Sequence, residues 1–205
     1  MTVPLSTKLI HTIRKFRGTA YYYYGRRWSS LFKFLYYSLL SVNNFVVYGA
    51  DLREDLPTYA LGEGFSILKP TQEQLDDLRR NRDLPREFYY DRIHGVKKCY
   101  VVMYDGDVAY IHWVYTGGNP SRFLRLRERV AELNYITTMP KYRGQGLMGK
   151  VMANTSFDLR EEGYTKVVGV FHAKNLPAVK SAKKAGWSEM ARIRTLGPFN
   201  KKLIV

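Results

Sequence analysis

The stretch from Pro140 to Lys150, Pro-Lys-Tyr-Arg-Gly-Gln-Gly-Leu-Met-Gly-Lys, constrains this chain of 205 residues more than any other. It follows an apolar run, 129–139, that reads as a β-strand. It precedes a helical pattern in which Met148, Met152, Thr155 and Leu159 recur at helical spacing before Gly163 ends it. Gly144, Gly146 and Gly149 between a strand and a helix allow backbone amides to come close to a bound group. The start of a helix adds unpaired N–H donors and the positive end of a dipole. Two known phosphate-binding patterns are nearly met here, and each lacks a partner. Gly144, Gly149 and Lys150 approach a P-loop, but Val151 stands where a magnesium-holding Ser or Thr is required. The three glycines also have dinucleotide-fingerprint spacing, but the end of the next strand reads Phe171, His172, Ala173, Lys174, Asn175 and offers no acid for a ribose. What both patterns share survives their rejection, and the turn reads as a diphosphate site.

The surrounding elements fit an α/β (α+β) domain with a mixed, mostly antiparallel central sheet and helices on both faces. A strand at 65–69 precedes a helix that Thr71 caps and Gln74 closes as a capping box. A helical stretch at 87–93 leads to strands 98–104 and 108–115, joined at Asp105, Gly106 and Asp107, a strong hairpin signal. Beyond the glycine turn come a strand at 166–172, a basic helix at 176–185, and a terminal strand pair at 190–194 and 202–205. The one cysteine, Cys99, lies in an apolar run and reads as a small core residue. The four histidines, His11, His94, His112 and His172, have no neighbour at metal-ligand spacing, so no metal is expected.

Charge divides the chain. Residues 1–50 hold seven of the 33 Lys and Arg and none of the 18 Asp and Glu, and Asp51 is the first acid. Their cations are interleaved with Phe16, the run Tyr21–Tyr24, Trp28, Phe32, Phe34, Tyr36 and Tyr37. Aromatics favour the headgroup level of a bilayer, and each basic residue near an anionic leaflet adds about 1 kcal/mol. Residues 1–55 are therefore expected to be a helical segment lying on a membrane surface or packing on the rest, and 56–205 the folded domain. A span needs about 20 apolar residues, and the stretch 28–48 is broken by Lys33, Asn43 and Asn44. The segment lacks the layout of a cleavable signal. The expected location is cytoplasmic, peripheral on the cytoplasmic membrane face. A net charge of +15 also attracts nucleic acid, which ranks lowest among the partners because only the aromatic interleaving speaks for it.

Residues 61–205 resemble the GCN5-related N-acetyltransferase (GNAT) family. Its acyl-CoA signature is Arg or Gln, two residues, Gly, one residue, then Gly or Ala, and Arg143, Gly144, Gln145, Gly146 and Leu147 match it. Met148 departs at the last position, with Gly149 beside it as partial compensation. The preceding strand ending at Pro140, and Asn175 followed by a helix and Gly186-Trp187, are similar to the family's flanking segments. The resemblance implies a GNAT-like fold and an N-acyltransferase whose donor is acetyl-CoA or a longer acyl-CoA. The acceptor is an amine on an unidentified small molecule, sugar or lipid-linked compound. It implies that pantetheine lies between strands 131–139 and 167–172, bonded to the backbone of Thr138 and Met139. The amides from Gln145 to Gly149 would hold the pyrophosphate, with Arg143 and Lys150 adding charge and Asn175 binding the pantetheine arm or a water.

Attack on a thioester needs a neutral amine. A lysine-like amine at pH 7 is about 3.4 pKa units from neutral, roughly 4.6 kcal/mol, which a positioned base helps to overcome. Glu132 stands where histone-type members carry such a carboxylate, with Asn134 and Tyr135 as water-positioning neighbours. The other reading of Glu132 is a strand-end carboxylate paired with Arg129. The Met139 amide would meet the oxyanion. Many members place a tyrosine acid seven residues after the asparagine; here that residue is Ala182, with Ser181 beside it. The alternative is a non-catalytic acyl-CoA-binding or membrane-surface interaction module.

Overall fold

The structure is a computed structural model that describes Ser29, Leu31, Phe32, Tyr36 and residues 42–80, 82–196 and 202–205. The tyrosine run and most of the basic aromatic segment lie outside the described residues. The chain divides into two compact units, Met1–Asn44 with Arg194–Lys201, and Phe45–Ile193 with Lys202–Val205. The second unit carries the glycine turn and nearly all of the sheet beside it.

Local chemistry sets its turns. Thr71 and Gln74 form the expected capping box at the start of α1 (Gln72–Arg79). A 3-10 turn, Arg86–Tyr89, runs into α2 (Tyr90–His94), which Gly95 ends in a left-handed conformation at φ 66°. Strands β3 (Cys99–Tyr104) and β4 (Asp107–Tyr115) meet at Asp105 (φ 45°) and Gly106 (φ 86°), two left-handed residues that suit a two-residue hairpin. Helix α3 (Leu147–Glu161) and helix α4 (Leu176–Lys184) follow β6 (Val130–Thr138) and β7 (Lys166–His172).

A seven-stranded sheet runs in the order β2-β3-β4-β6-β7-β1-β8, where β1 is Val42–Asp51, β2 Phe65–Leu68 and β8 Ser188–Leu196. Pairing is antiparallel for β2/β3, β3/β4, β4/β6 and β1/β7, and parallel for β6/β7. Side chains alternate across the sheet. Val101, Ile111, Trp113, Tyr115 and Val168 therefore pack with Leu75, Phe88 and Tyr90 from α1, the 3-10 turn and α2. The other face packs Tyr100, Val114, Leu133 and Phe171 against Met152, Ala153 and Leu159 of α3 and Ala178 and Ala182 of α4. The mixed, mostly antiparallel sheet with helices on both faces is as the sequence implies.

Two expectations are corrected. Val42–Asp51, expected inside a helical N-terminal segment, is a strand: Phe45 to Asp51 pair with His172 to Lys166. The C-terminal strand β9 (Leu203–Ile204) pairs with β5 (Leu124–Arg125), in parallel, and not with β8. Among the described residues no helix is long and apolar enough to cross a membrane.

Candidate active site

Strands β6 and β7 pair only at Val130 with Lys166, Ala131 with Val167 and Glu132 with Val168, and beyond that they separate. The separation is built into β6. Trp113 pairs with Asn134 but Ile111 with Thr137, so β6 carries one extra residue opposite His112, and Tyr135 takes a left-handed φ of 49°. Such a bulge bends its strand and breaks the ladder locally. A cleft of about 970 Å³ opens between the parted strands and runs to the glycine turn.

Of the residues expected at the donor site, Thr138, Arg143, Gly144, Gly146, Leu147, Met148 and Asn175 line this cleft, as do Asn134 and Tyr135. Gly144 and Gly146 have φ of 80° and 69°, left-handed values that favour glycine. No side chain caps the start of α3, so the N–H groups of its first turn face outward. Arg143 Nε donates to the Thr138 carbonyl at 3.0 Å, which fixes the arginine beside the turn. Asn175 both lines the cleft and caps α4, its Oδ1 accepting from Ala178 N–H at 3.4 Å.

Two expectations do not hold as stated. The Met139 N–H donates to Ala109 O at 2.9 Å and is not open to an oxyanion or a pantetheine arm. Lys150 Nζ donates to Leu61 O at 3.2 Å, away from the lining. Gly149 is buried, and a Cβ there would lie 2.9 Å from Ser181 O, so its smallness serves the approach of α4 to α3. Gln145 is exposed in the turn and is not part of the lining. The cations that do line the cleft are Arg143, Lys180 and Lys184. Lys184 Nζ would be 3.1 Å from a Cβ on Gly146. The two lysines lie one helical turn apart on α4, a spacing readable in the sequence once that helix is known to face the turn.

Glu132 lies on the opposite face of the sheet. Its residue exposure is 1%, and Arg129 is not its partner: Arg129 Nε donates to Gly163 O at 2.9 Å. Asn134 Nδ2 donates to Glu132 Oε1 at 3.1 Å, and Asn134 Oδ1 accepts from Tyr135 N–H at 2.8 Å. Among the described residues, Glu132 Oε2 and the hydroxyl of Tyr115, its cross-strand neighbour, are buried with no hydrogen bond of normal geometry. Burial pushes the Glu132 carboxyl up to about 7, against smaller pulls from the Ser121 hydroxyl and the Lys202 charge. Tyr135 is also raised, by burial first and then by the Glu132 charge. Ala182 is fully buried, and Ser181 lines the cleft with its hydroxyl donated to Pro177 O at 3.0 Å. His172 lines the cleft too, its Nδ1 accepting from Lys174 N–H at 3.2 Å. Neither His172 nor Tyr115 stands out in the sequence.

Among the described residues no group of His, Cys, Asp or Glu could hold a metal ion. No curated protein matches the chain. Three solved structures illustrate the fold likeness. A GCN5-related glucosamine N-acetyltransferase region in a fungal multi-domain β-N-acetylglucosaminidase is 16% identical, with a TM-score of 0.57 over 74% of this chain and 20% of that one. A GCN5-related N-acetyltransferase from Sphaerobacter thermophilus is 10% identical, with 0.54 over 85% and 58%. Another from Kribbella flavida is 13% identical, with 0.51 over 83% and 64%. The chain spans less than two thirds of the length of each. A family model described as the acetyltransferase (GNAT) family matches residues 65–187, more than half of the chain, and the protein belongs to that family.

Proposed function

We propose that the protein is an acyl-CoA-dependent N-acyltransferase, with acetyl-CoA or a longer acyl-CoA as donor and an amine as acceptor. The observation that carries this reading is the parting of β6 and β7 beside a left-handed glycine turn at the start of α3. Strands that pair and then part leave room for an extended guest, and the pantetheine arm is one. The outward N–H groups of α3 with Arg143, Lys180 and Lys184 suit a diphosphate, each helix-end interaction being worth about 0.3–1 kcal/mol. Thr138 and Asn175 would border the arm between them.

In the reaction the amine nitrogen attacks the thioester carbonyl and forms the C–N bond. The C–S bond then breaks with its electron pair on sulfur, and the proton lost by nitrogen passes to Glu132. A carboxyl near 7 is a base matched to neutral pH. Because Glu132 is buried, one water bordered by Asn134 and Tyr135 would relay that proton. A thiolate with pKa of about 8.5 leaves without an acid, so the alanine at position 182 is no obstacle. A second reading, a non-catalytic acyl-CoA-binding or membrane-surface module, draws on that same alanine and on the Ser181 hydroxyl's bond to Pro177. Residues 1–41, by their charge and aromatics, would hold either form at the anionic cytoplasmic face of a membrane.

The test is thermal stabilisation by CoA, acetyl-CoA and a long-chain acyl-CoA, followed by thiol release with amines. A ligand at a hundred times its Kd stabilises by about 2.7 kcal/mol. Stabilisation with amine-dependent thiol release supports the enzyme, and stabilisation without release supports the second reading. No response to any of the three refutes both as donor-binding proteins.

A further inference from the structure

The two oxygens of Glu132 keep different company. Asn134 Oδ1 accepts the Tyr135 N–H at 2.8 Å, which turns the amide so that its Nδ2 donates to Glu132 Oε1 at 3.1 Å. An amide nitrogen only donates, so Oε1 is an acceptor whether the carboxyl is ionised or not. The acid proton of Glu132 therefore belongs on Oε2. Among the described residues that oxygen makes no hydrogen bond of normal geometry, and neither does the buried hydroxyl of Tyr115.

Sheet register brings these two side chains together. Tyr115 on β4 is paired with Glu132 on β6. Directly opposed residues of an antiparallel pair point to one face, with Cβ atoms about 4.5–5.5 Å apart. Each residue is 1% exposed, so bulk water serves neither group. The Tyr115 ring is packed 5.9 Å from that of Tyr135 and 6.4 Å from that of His94, between ring centres, and Tyr135 stacks in turn on Tyr90 at 3.6 Å. Buried polar atoms find partners, and a hydroxyl can donate or accept by turning its hydrogen. The Tyr115 hydroxyl can accept from Oε2–H while Glu132 is protonated and donate to Oε2 once it is ionised, directly or across one water. Burial holds the phenol well above the usual tyrosine range, so it keeps its own proton throughout. The other groups facing the pair are the Ser121 hydroxyl from the loop before β5, the Lys202 charge, Tyr135, and Tyr90 and His94 of α2. Ser121 Oγ accepts the Leu124 N–H at 3.2 Å, which leaves its own hydrogen for the carboxyl. Ser121 and Lys202 favour the ionised form.

We infer that Tyr115 is the positioning residue of the base: its hydroxyl meets Glu132 Oε2 in both protonation states, so the proton lost by the amine is received on Oε2 without a swing of the carboxyl. The N–H bond breaks with its electron pair left on nitrogen, an O–H bond forms on Oε2, and the Tyr115 hydrogen turns away. This rests on the N-acyltransferase reading and adds a residue to it.

The test is Tyr115→Phe, which keeps the ring and removes the hydroxyl. Loss of a donor to the ionised form raises a carboxyl. Difference infrared spectra of the full chain against pH follow the carbonyl band of protonated Glu132, identified by its loss in Glu132→Gln. In Tyr115→Phe that band should persist about one pH unit higher, a tenfold change in ionisation constant. Thiol release from acetyl-CoA is then measured with the amine the parent uses best among amino acids, amino sugars and polyamines. The rising limb of kcat/KM should move by the same unit, with a fall of about tenfold below the limb and less than about threefold above it. In the Glu132→Gln background the Tyr115 change should alter kcat/KM by less than about twofold. An infrared titration that stays in place, or a loss of kcat/KM that is equal at every pH, overturns this inference and leaves the acyltransferase reading intact. Absence of thiol release by the parent with every amine, while acetyl-CoA stabilises it, overturns both.

Discussion

Replacing Glu132 by Gln should stabilise the protein at high pH and disable it at every pH. The carboxyl is 1% exposed, and burial raises it from 4.5 to about 7. In the unfolded chain the group ionises near its ordinary value, so between about pH 4.5 and 7 the unfolded state holds fewer protons than the native state. Stability therefore falls as pH rises through that window, being fully present below about 4.5 and lost once the pH passes about 7. Each pKa unit is 1.36 kcal/mol, so the loss is about 3 kcal/mol. Glutamine does not titrate, and its amide oxygen can still accept from Asn134. The difference in unfolding free energy, variant minus parent, should thus rise by about 3 kcal/mol from pH 4.5 to 8 in urea denaturation. Over the same range the parent's kcat/KM should climb as Glu132 ionises, with an apparent pKa of about 7, while the variant falls about 10²–10⁴-fold and loses that limb. A stability difference that stays constant with pH would refute the burial argument. A variant with the parent's kcat/KM would refute Glu132 as base.

Two further predictions concern the frame. Asp91→Asn should cost about 3–5 kcal/mol, seen as a lower urea midpoint at unchanged m. It strips the main anion from Arg79, whose side chain is only 4% exposed and whose other carboxylate, Asp76, is 44% exposed. Gly149→Ala should cost about 1–3 kcal/mol, or roughly 2–4 °C in Tm per kcal/mol, and weaken CoA binding, because its methyl would press on Ser181 O at 2.9 Å and on Lys184 Cβ at 3.2 Å. Undiminished stability would mean that α4 gives way freely.

The two sides of this site differ in how far a sequence reader can see them. The donor side is made of backbone: a strand, a turn with Gly144 and Gly146 at positive φ, and the open end of a helix, all contiguous and all set by local rules about glycine and helix termini. For that reason Arg143, Gly144, Gly146 and Asn175 could be named from a short motif and its flanking segments. Errors there came where one residue type has two uses. Gly149 reads as a ligand-approach glycine and also serves helix packing, and Lys150 reads as a phosphate cation but reaches back to Leu61. Strand β1 was hidden because its apolar run continues an aromatic stretch whose period points to neither helix nor strand. The Glu132 side is made of side chains from distant segments: Tyr90 from α2, Tyr115 from β4, Ser121 from the loop before β5, Lys202 from the end of the chain. No local period relates these positions, since they meet only through sheet order and the β5–β9 pairing. The surroundings of Glu132 are therefore the part of this fold that sequence spacing conveys least, because they depend on which strands become neighbours and not on any local run.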